Sequence, residues 1–428
     1  MRHWAQRAGR ARAAALLALG AVACTAAAAS HTAPAARSTA GAHRDGTVVR
    51  IALAQRQSQV ILSADGPWRI HAADGRVEAA LTEPRERWVL ERDGARVSAR
   101  REDSRPVSHR DTPLIARATD PDGTVTFNGR RYRGELVVSA AEGGLLVVNR
   151  LAVDDYVKGV VPLEIGTSAA ADVAAVEAQA VAARSYALTH LAGTRRAWDM
   201  VATVNDQVYG GATAETRLGN AAVDATAGLV LLYAGRAVNA PYHAACGGTT
   251  AEAPDVWRSA GEPYLRRVSD QVPGSERFYC DHASRFRWTR SYDRDELRES
   301  VARYLRKLPG GAGTGAGEVR DVRVLTVTPA GRVATLAVET GRRTVTLRGN
   351  EMRDLLRSPS GEMLSSTYFS ADVAHGGGGV ERLTLRGGGY GHGIGMCQSG
   401  AIGRARAGHD FRTILRTYYP GTTVGRVD

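Results

Sequence analysis

The sequence predicts an α+β protein: a β-rich N-terminal region followed by a mixed α/β module with a cleft. Three observations carry that expectation. From Val48 to Val148, short alternating segments such as VRIAL, SQVILSA, PWRIHA and RWVLE are separated by turn signals at Ala64-Asp65-Gly66, Asp93-Gly94, Asp122-Gly123 and Asn128-Gly129. That is the pattern of strands joined by tight turns. Residues 168–192 then change to an alanine-rich stretch with helical spacing. Beyond it, strand-like pieces return with helices segregated from them, which argues α+β. No fixed-period repeat occurs, which argues against solenoids and propellers.

Taken in order, the chain opens with Arg2, Arg7, Arg10 and Arg12 ahead of the apolar run Ala13–Ala23 and the small residues CTAAAAS. This is the order of a secretory signal, and the run is too short to span a bilayer. Residues 1–30 are therefore expected to be a signal peptide and 31–46, rich in Ala, Ser, Thr and Pro, a linker. The mature protein is expected outside the cytoplasm, soluble or tethered at most by lipid. Cys24 sits where a lipoprotein signal places its modified cysteine, although AVAC lacks the usual leucine. The β-rich region is assigned to 47–114 and the larger module to 115–428.

In the helical stretch, Ser168 is a candidate cap, Asp172 suits a first turn and Gly193 a stop. Gln179 and Tyr186, seven apart, share one face; Glu177 and Arg184 share the opposite one. Further on, GLVLLYAGRAVNAPYHAACGG reads as short strands and VRVLTVTPAGRVATLAVETGRRTVTLRG as a meander. GGAGTGAG (310–317) and HGGGG (375–379) read as flexible loops.

The formal net charge is +12, yet only Lys158 and Lys307 are lysines and the arginines are interleaved with acids along the whole chain. That distribution fits compositional bias better than a nucleic-acid stripe, and no nucleic-acid partner is expected. Weak, salt-sensitive adhesion to an anionic surface is compatible with it.

Two motifs are candidates for chemistry. GGGYGHGIGMCQSGA (387–401) is not a dinucleotide loop, because the register from Gly391 puts Met396 where glycine is needed, and it lacks the lysine of a Walker loop. It is either a hairpin that merely turns or the wall of a sugar groove, with Tyr390, His392 and Gln398 for stacking and hydrogen bonds. In LAVDDYVKGVVPLEIG (151–166), Glu164 follows Pro162 and lies between Leu163 and Ile165. A carboxyl in apolar surroundings has a raised pKa and can act as a general acid; the alternative is a surface glutamate preceding the helix. Cys246 and Cys280 are open to three readings: a disulfide with Cys397 free, unpaired thiols, or a zinc site with His243 and His282.

DYVKGVVPLEI, EAQAVAARSYAL, DQVYGG, AVDATAGLVLLYAGRAVNAPYHAACGGTT and GYGHGIGMCQSGAIGRARAGHDFRTILRTYYPGT occur in that order from about Gly134 to the C-terminus. They resemble the successive blocks of the stage II sporulation protein D family of peptidoglycan lytic enzymes and amidase enhancers. The resemblance implies a lytic transglycosylase whose catalytic acid is the glutamate of the Pro-x-Glu element, Glu164. It implies substrate contacts at Gln179, Arg184, Tyr186, Gln207, Tyr209, Tyr242, Thr249, His392 and Gln398. The expected partners are peptidoglycan glycan strands and, for an enhancer, a cell-wall amidase. Structural alternatives stand beside these roles: Gln179 and Arg184 as N–H and carbonyl satisfiers that hold the alanine-rich helix, Arg184 paired with Glu177, and Tyr209 and Tyr242 in the core. The chain departs from the pattern at Glu177, where the family has lysine, at Asp206, where some members have a zinc-associated cysteine, and at Cys397-Gln398-Ser399, where an aromatic residue usually follows the glutamine. No metal and no cofactor is therefore expected. Asp206 is also a candidate second carboxylate for a hydrolytic muramidase.

Overall fold

The computed structural model describes residues 46–427, apart from 74–76, 103, 105–107, 111–112, 168, 258 and 309–316. The expected signal peptide, the linker and Cys24, the cap at Ser168 and most of the 310–317 loop lie outside the described residues.

Two sheets form the first half of the chain. A seven-stranded sheet has the order Met200–Val201, Val48–Gln57, Gly144–Ala152, Glu135–Ala141, Leu114–Ala118, Trp68–Ala72, Val77–Thr82. A six-stranded sheet carries Arg130–Tyr132, Val125–Phe127, Gln59–Ala64, Trp88–Asp93, Arg96–Arg101 and Ser108–Arg110. Alternation dictates this layering: Val60, Leu62 and Ala64 point inward from one strand, Trp68, Ile70 and Ala72 from another, and all six are buried in a shared core. The expected boundary at 114/115 thus runs through one sheet, because Leu114–Ala118 pairs with Trp68–Ala72 on one side and Glu135–Ala141 on the other. The 47–114 region is not a separate unit.

The same core continues into two helices, Val153–Ile165 and Val173–Thr189. The first is absent from the sequence reading, which has Glu164 only as a residue preceding the alanine-rich helix. Proline lies in its last turn, where only one intrahelical bond is forfeited, and Asp154 and Asp155 suit its N-terminus. Gly166 ends it in the left-handed conformation at φ 64°. The second helix is the expected alanine-rich one. A short 3₁₀ turn, Ala170–Asp172, precedes it, and it stops at Thr189 rather than Gly193. Asp172 does not cap it. Its carboxylate instead takes two bonds from Arg406, at 2.7 and 2.9 Å, and one from Thr167 at 2.6 Å.

A second hydrophobic core is built between residues 287 and 388. Tyr292, Leu297, Val301, Leu336, Leu355, Leu383 and Leu385 belong to it. Its two three-stranded sheets join Arg287–Asp293, Gly379–Gly388 and Phe369–Gly376, and Val319–Val327, Val333–Thr340 and Thr344–Arg348. The latter is the expected meander, and the 375–379 loop is a tight hairpin turn. After this insertion the chain returns to the first core through the helices Gln398–Arg406 and Phe411–Tyr418, and Thr423–Gly425 pairs with Val230–Tyr233.

Candidate active site

Glu164 is the penultimate residue of the Val153–Ile165 helix and is half-buried. Its Oε1 accepts a 2.7 Å hydrogen bond from the backbone N–H of Val208. Burial pushes its carboxyl above the ordinary glutamate range, and the bonds from Val208 and Gln398 only partly oppose this. Among the described residues no lysine or arginine pairs with it.

The segment Asp206–Tyr209 crosses the end of this helix, and each of its four residues is committed. Asp206 accepts from the Tyr186 hydroxyl at 3.2 Å and from Val201 N at 2.8 Å. The Gln207 amide donates to the Tyr156 hydroxyl at 3.2 Å, and its oxygen accepts from the Tyr242 hydroxyl at 2.6 Å. Val208 holds Glu164. Tyr209 donates to Asn149 Oδ1 at 2.7 Å, and the Asn149 amide in turn satisfies the carbonyls of Arg133 and Glu135. Tyr209 packs so closely on the first helix that a side chain at Gly159 would meet its ring at 2.5 Å.

The second helix contributes Gln179, whose Oε1 accepts from Gln398 Nε2 at 3.2 Å while its own Nε2 is buried without a partner. Tyr186 lies one seven-residue step further along and stacks on His190 at 3.8 Å. Burial and the neighbouring Asp206 carboxylate push the Tyr186 hydroxyl well above its ordinary range, and burial with Glu164 nearby does the same for Tyr242. Glu164 is thus surrounded by neutral amides and phenols, Gln179, Gln207, Gln398, Tyr156, Tyr186 and Tyr242, with the Asp206 carboxylate beyond Tyr186.

Five expected contact residues therefore converge on Glu164: Gln179, Tyr186, Gln207, Tyr242 and Gln398. Four do not. Arg184 is 1% exposed, and its guanidinium is spent on Asp154 at 2.6 Å and the Leu229 carbonyl at 2.9 Å. Its partner is Asp154, not Glu177, which lies half-buried near Asp410. Tyr209 is a core residue, with its hydroxyl consumed by Asn149. The Thr249 hydroxyl donates to the Val268 carbonyl at 3.2 Å. His392 does not face Glu164. Successive residues of a strand point to opposite sides, so Tyr242 reaches Gln207 while His243 turns towards His392, with ring centres 5.5 Å apart. His392 also packs on Trp257 at 5.2 Å, and burial together with the charges of Arg353 and Arg332 pulls its imidazole down to about 3.

The glycine-rich run approaches a neighbouring segment of the protein closely. A side chain at Gly395 (φ 70°) would meet the Pro241 carbonyl at 2.0 Å, and one at Gly391 (φ 112°) would meet His243 at 2.8 Å. These glycines seat the run against Pro241–Cys246, which carries Gln398 to the Glu164 side.

Sequence reasoning missed Tyr156, although its spacing of eight from Glu164 puts both on one helical face. Of the three readings open for the cysteines, the structure has the unpaired thiols. Cys246 and Cys280 are unbonded, with sulfurs 3.4 Å apart, and the groups gathered around them are Cys397 and Asp270 rather than His243 and His282.

Comparison with known proteins matches residues 141–233 to a family model described as stage II sporulation protein, and 274–395 to a domain of unknown function (DUF8618). The first match contains Glu164, Gln179, Tyr186 and Gln207; the second spans the inserted core. The chain is 30% identical over 301 residues to an uncharacterised protein of Brachyspira hyodysenteriae, covering 70% of this chain and 73% of that protein. It is 30% identical to the amidase enhancer of Bacillus subtilis, covering 62% of this chain but 40% of that longer protein. To the stage II sporulation protein D of Bacillus subtilis it is 27% identical, covering 66% of this chain and 76% of that protein.

Proposed function

The chain belongs to the stage II sporulation protein D family, and on that premise we propose that it acts on the cell wall as a peptidoglycan lytic transglycosylase with Glu164 as its acid and base. The observation that carries the reading is a single half-buried carboxyl, raised in pKa by burial and set among neutral hydrogen-bonding side chains. Such a group keeps its proton to higher pH than a solvated glutamate and can deliver it.

The chemistry needs little else. Glu164 protonates the glycosidic oxygen as its bond to C1 of N-acetylmuramic acid breaks. The resulting carboxylate then takes the proton of that sugar's C6 hydroxyl, whose oxygen bonds to C1 and closes a 1,6-anhydro ring. No water is consumed, so the second carboxylate of a hydrolase is dispensable. The Val208 N–H holds one carboxyl oxygen in place, and the buried amides of Gln179 and Gln398 hold each other beside it. The Tyr186 and Tyr242 hydroxyls already donate to Asp206 and Gln207, so what they offer a sugar is an acceptor oxygen. The substrate lies outside the cytoplasm, so the reading requires export, which the arginine-then-apolar order of Arg2–Ala23 supports.

Digestion of purified sacculi and of peptide-free glycan strands, with mass analysis of the ends, tests this. Anhydro ends that vanish in Glu164→Gln are expected. Reducing ends would instead assign a hydrolytic muramidase, with Asp206 as its second carboxylate. The similarity to an amidase enhancer supports another reading, a non-enzymatic wall-binding stimulator of an amidase. Absence of cleavage, with faster turnover of an added N-acetylmuramoyl-L-alanine amidase, would replace the enzyme reading with that one.

A further inference from the structure

We propose that Cys246, Cys280, Cys397 and Asp270 bind one zinc ion, which clamps the base of the inserted domain and the helix that carries Gln398. The four side chains are buried, and one ligand atom from each lies within 4.8 Å of all the others. Cys246 Sγ is 3.4 Å from Cys280 Sγ and 3.7 Å from Asp270 Oδ2. A tetrahedral ion with ordinary zinc–sulfur and zinc–oxygen bonds places its ligands about 3.8 Å apart for two sulfurs and about 3.6 Å for sulfur and oxygen. Four protein ligands close the coordination sphere, which is the arrangement of a structural rather than a catalytic ion.

The surroundings are those of ligated thiolates. Backbone N–H groups point at the sulfurs: Cys246 N and Gly400 N at Cys397 Sγ, at 3.2 and 3.3 Å, and Gly248 N at Cys246 Sγ, at 3.4 Å. Asp270 Oδ1 is held by the Tyr418 hydroxyl at 2.6 Å and by Arg404 at 3.2 Å, which orients Oδ2 towards the sulfurs. A side chain at Gly400 would meet Asp270 Oδ2 at 2.4 Å, so this position admits only glycine while the helix sits on the cluster.

Charge supplies an independent argument. Arg332 is 1% exposed and donates to the carbonyls of Cys246 and Thr249, at 2.9 and 3.3 Å, while its Nε and Nη1 have no partner. No carboxylate accepts a hydrogen bond from it among the described residues. A buried guanidinium without a counterion is costly. Three thiolates, one carboxylate and a divalent cation leave two negative charges, which Arg332 and Arg404 neutralise. Position in the chain explains the purpose. Asp270 and Cys280 flank the start of the inserted segment, Cys397 follows its end, and Cys397 caps the helix whose first residue is Gln398. The cluster is distinct from the Asp206–Tyr209 segment, and the proposal does not depend on the activity of Glu164.

The test uses the full purified chain. One zinc per chain by elemental analysis is expected, and the cobalt-substituted protein should show thiolate-to-metal charge transfer with intense tetrahedral d–d bands. Asp270→Asn should weaken zinc binding at least tenfold, and Cys397→Ser should abolish stoichiometric zinc. Should Cys397→Ser fail to fold, the cobalt spectrum of the wild type and the affinity of Asp270→Asn decide. A chain without zinc whose thiols alkylate freely, or one two hydrogens lighter because Cys246 and Cys280 have formed a disulfide, overturns the proposal. Unchanged zinc affinity in Asp270→Asn removes Asp270 from the ligand set and overturns the four-ligand site.

Discussion

The surroundings of Glu164 and the scaffold that holds them differ in how they treat charge. Around Glu164 the groups are neutral apart from the Asp206 carboxylate behind Tyr186, and among the described residues Glu164 has no cationic partner. Three of the arginines that tie the scaffold together are paired with carboxylates. Arg184 binds Asp154, Arg406 binds Asp172, and Arg404 binds Asp270. Paired charges fix elements in place, because removing either partner strands the other. An unpaired, half-buried carboxyl has no such fixing role, and its proton affinity is set by burial. The contrast separates the group positioned for chemistry from the groups that position it.

The strongest way to break that contrast is at Glu164 itself. Glu164→Gln should lower glycan cleavage by about 10²–10⁴-fold while leaving the fold intact, since a neutral amide replaces a group with no ionic partner. Cleavage assays beside circular dichroism check this; a variant that unfolds would make Glu164 a structural residue. Next in size is Asp154→Ala. It leaves the Arg184 guanidinium buried without its carboxylate and should cost about 3 kcal/mol in chemical denaturation, with kcat/KM of the folded fraction changed only a few-fold. A raised KM with unchanged stability would instead return Arg184 to the substrate-contact set.

Legibility in the sequence follows the same divide. The α+β class and the strands of the first half were readable because alternation and turn residues are local signals. Gln179 and Tyr186 were placed correctly relative to each other because helical spacing fixes a shared face. The structural role of Arg184 was readable in kind, as a satisfier of carbonyls, and it donates to those of Leu229 and Val223; its ionic partner was not, since Asp154 lies 30 residues away, across a helix–helix contact, while Glu177 lay closer in sequence. Asp270 carries no motif, and nothing local tells it from any solvated aspartate. The insertion was also hidden: recognisable blocks flank it on both sides, so the intervening strands read as a continuation of one module. His392 was misplaced because alternation across the two-residue strand Tyr242–His243 sends neighbouring side chains in opposite directions.

A smaller effect is expected at Tyr186. Its hydroxyl donates to Asp206, so Tyr186→Phe should cost about 1 kcal/mol and reduce cleavage less than tenfold. A loss above a hundredfold, read from kcat rather than KM, would make the hydroxyl part of the proton transfer and bring Asp206 into the chemistry.

The smallest effects have opposite signs and test the contrast directly. Burial raises the Glu164 carboxyl, so its ionised form disfavours the folded state. That penalty is absent below the unfolded pKa, grows as pH rises through the folded pKa, and is constant above it. Glu164→Gln should therefore match the wild type at low pH and melt at a higher temperature at neutral pH. Arg406 and Thr167 lower the Asp172 carboxyl, so its contribution is present above the unfolded aspartate value and is lost as pH falls through the folded one. Asp172→Asn should melt lower than the wild type at neutral pH and converge with it in acid. Melting curves of both variants from acid to neutral pH should diverge from the wild type in opposite directions. If both fall below it, Glu164 has a stabilising partner, and the division between a neutral site and a charged scaffold fails.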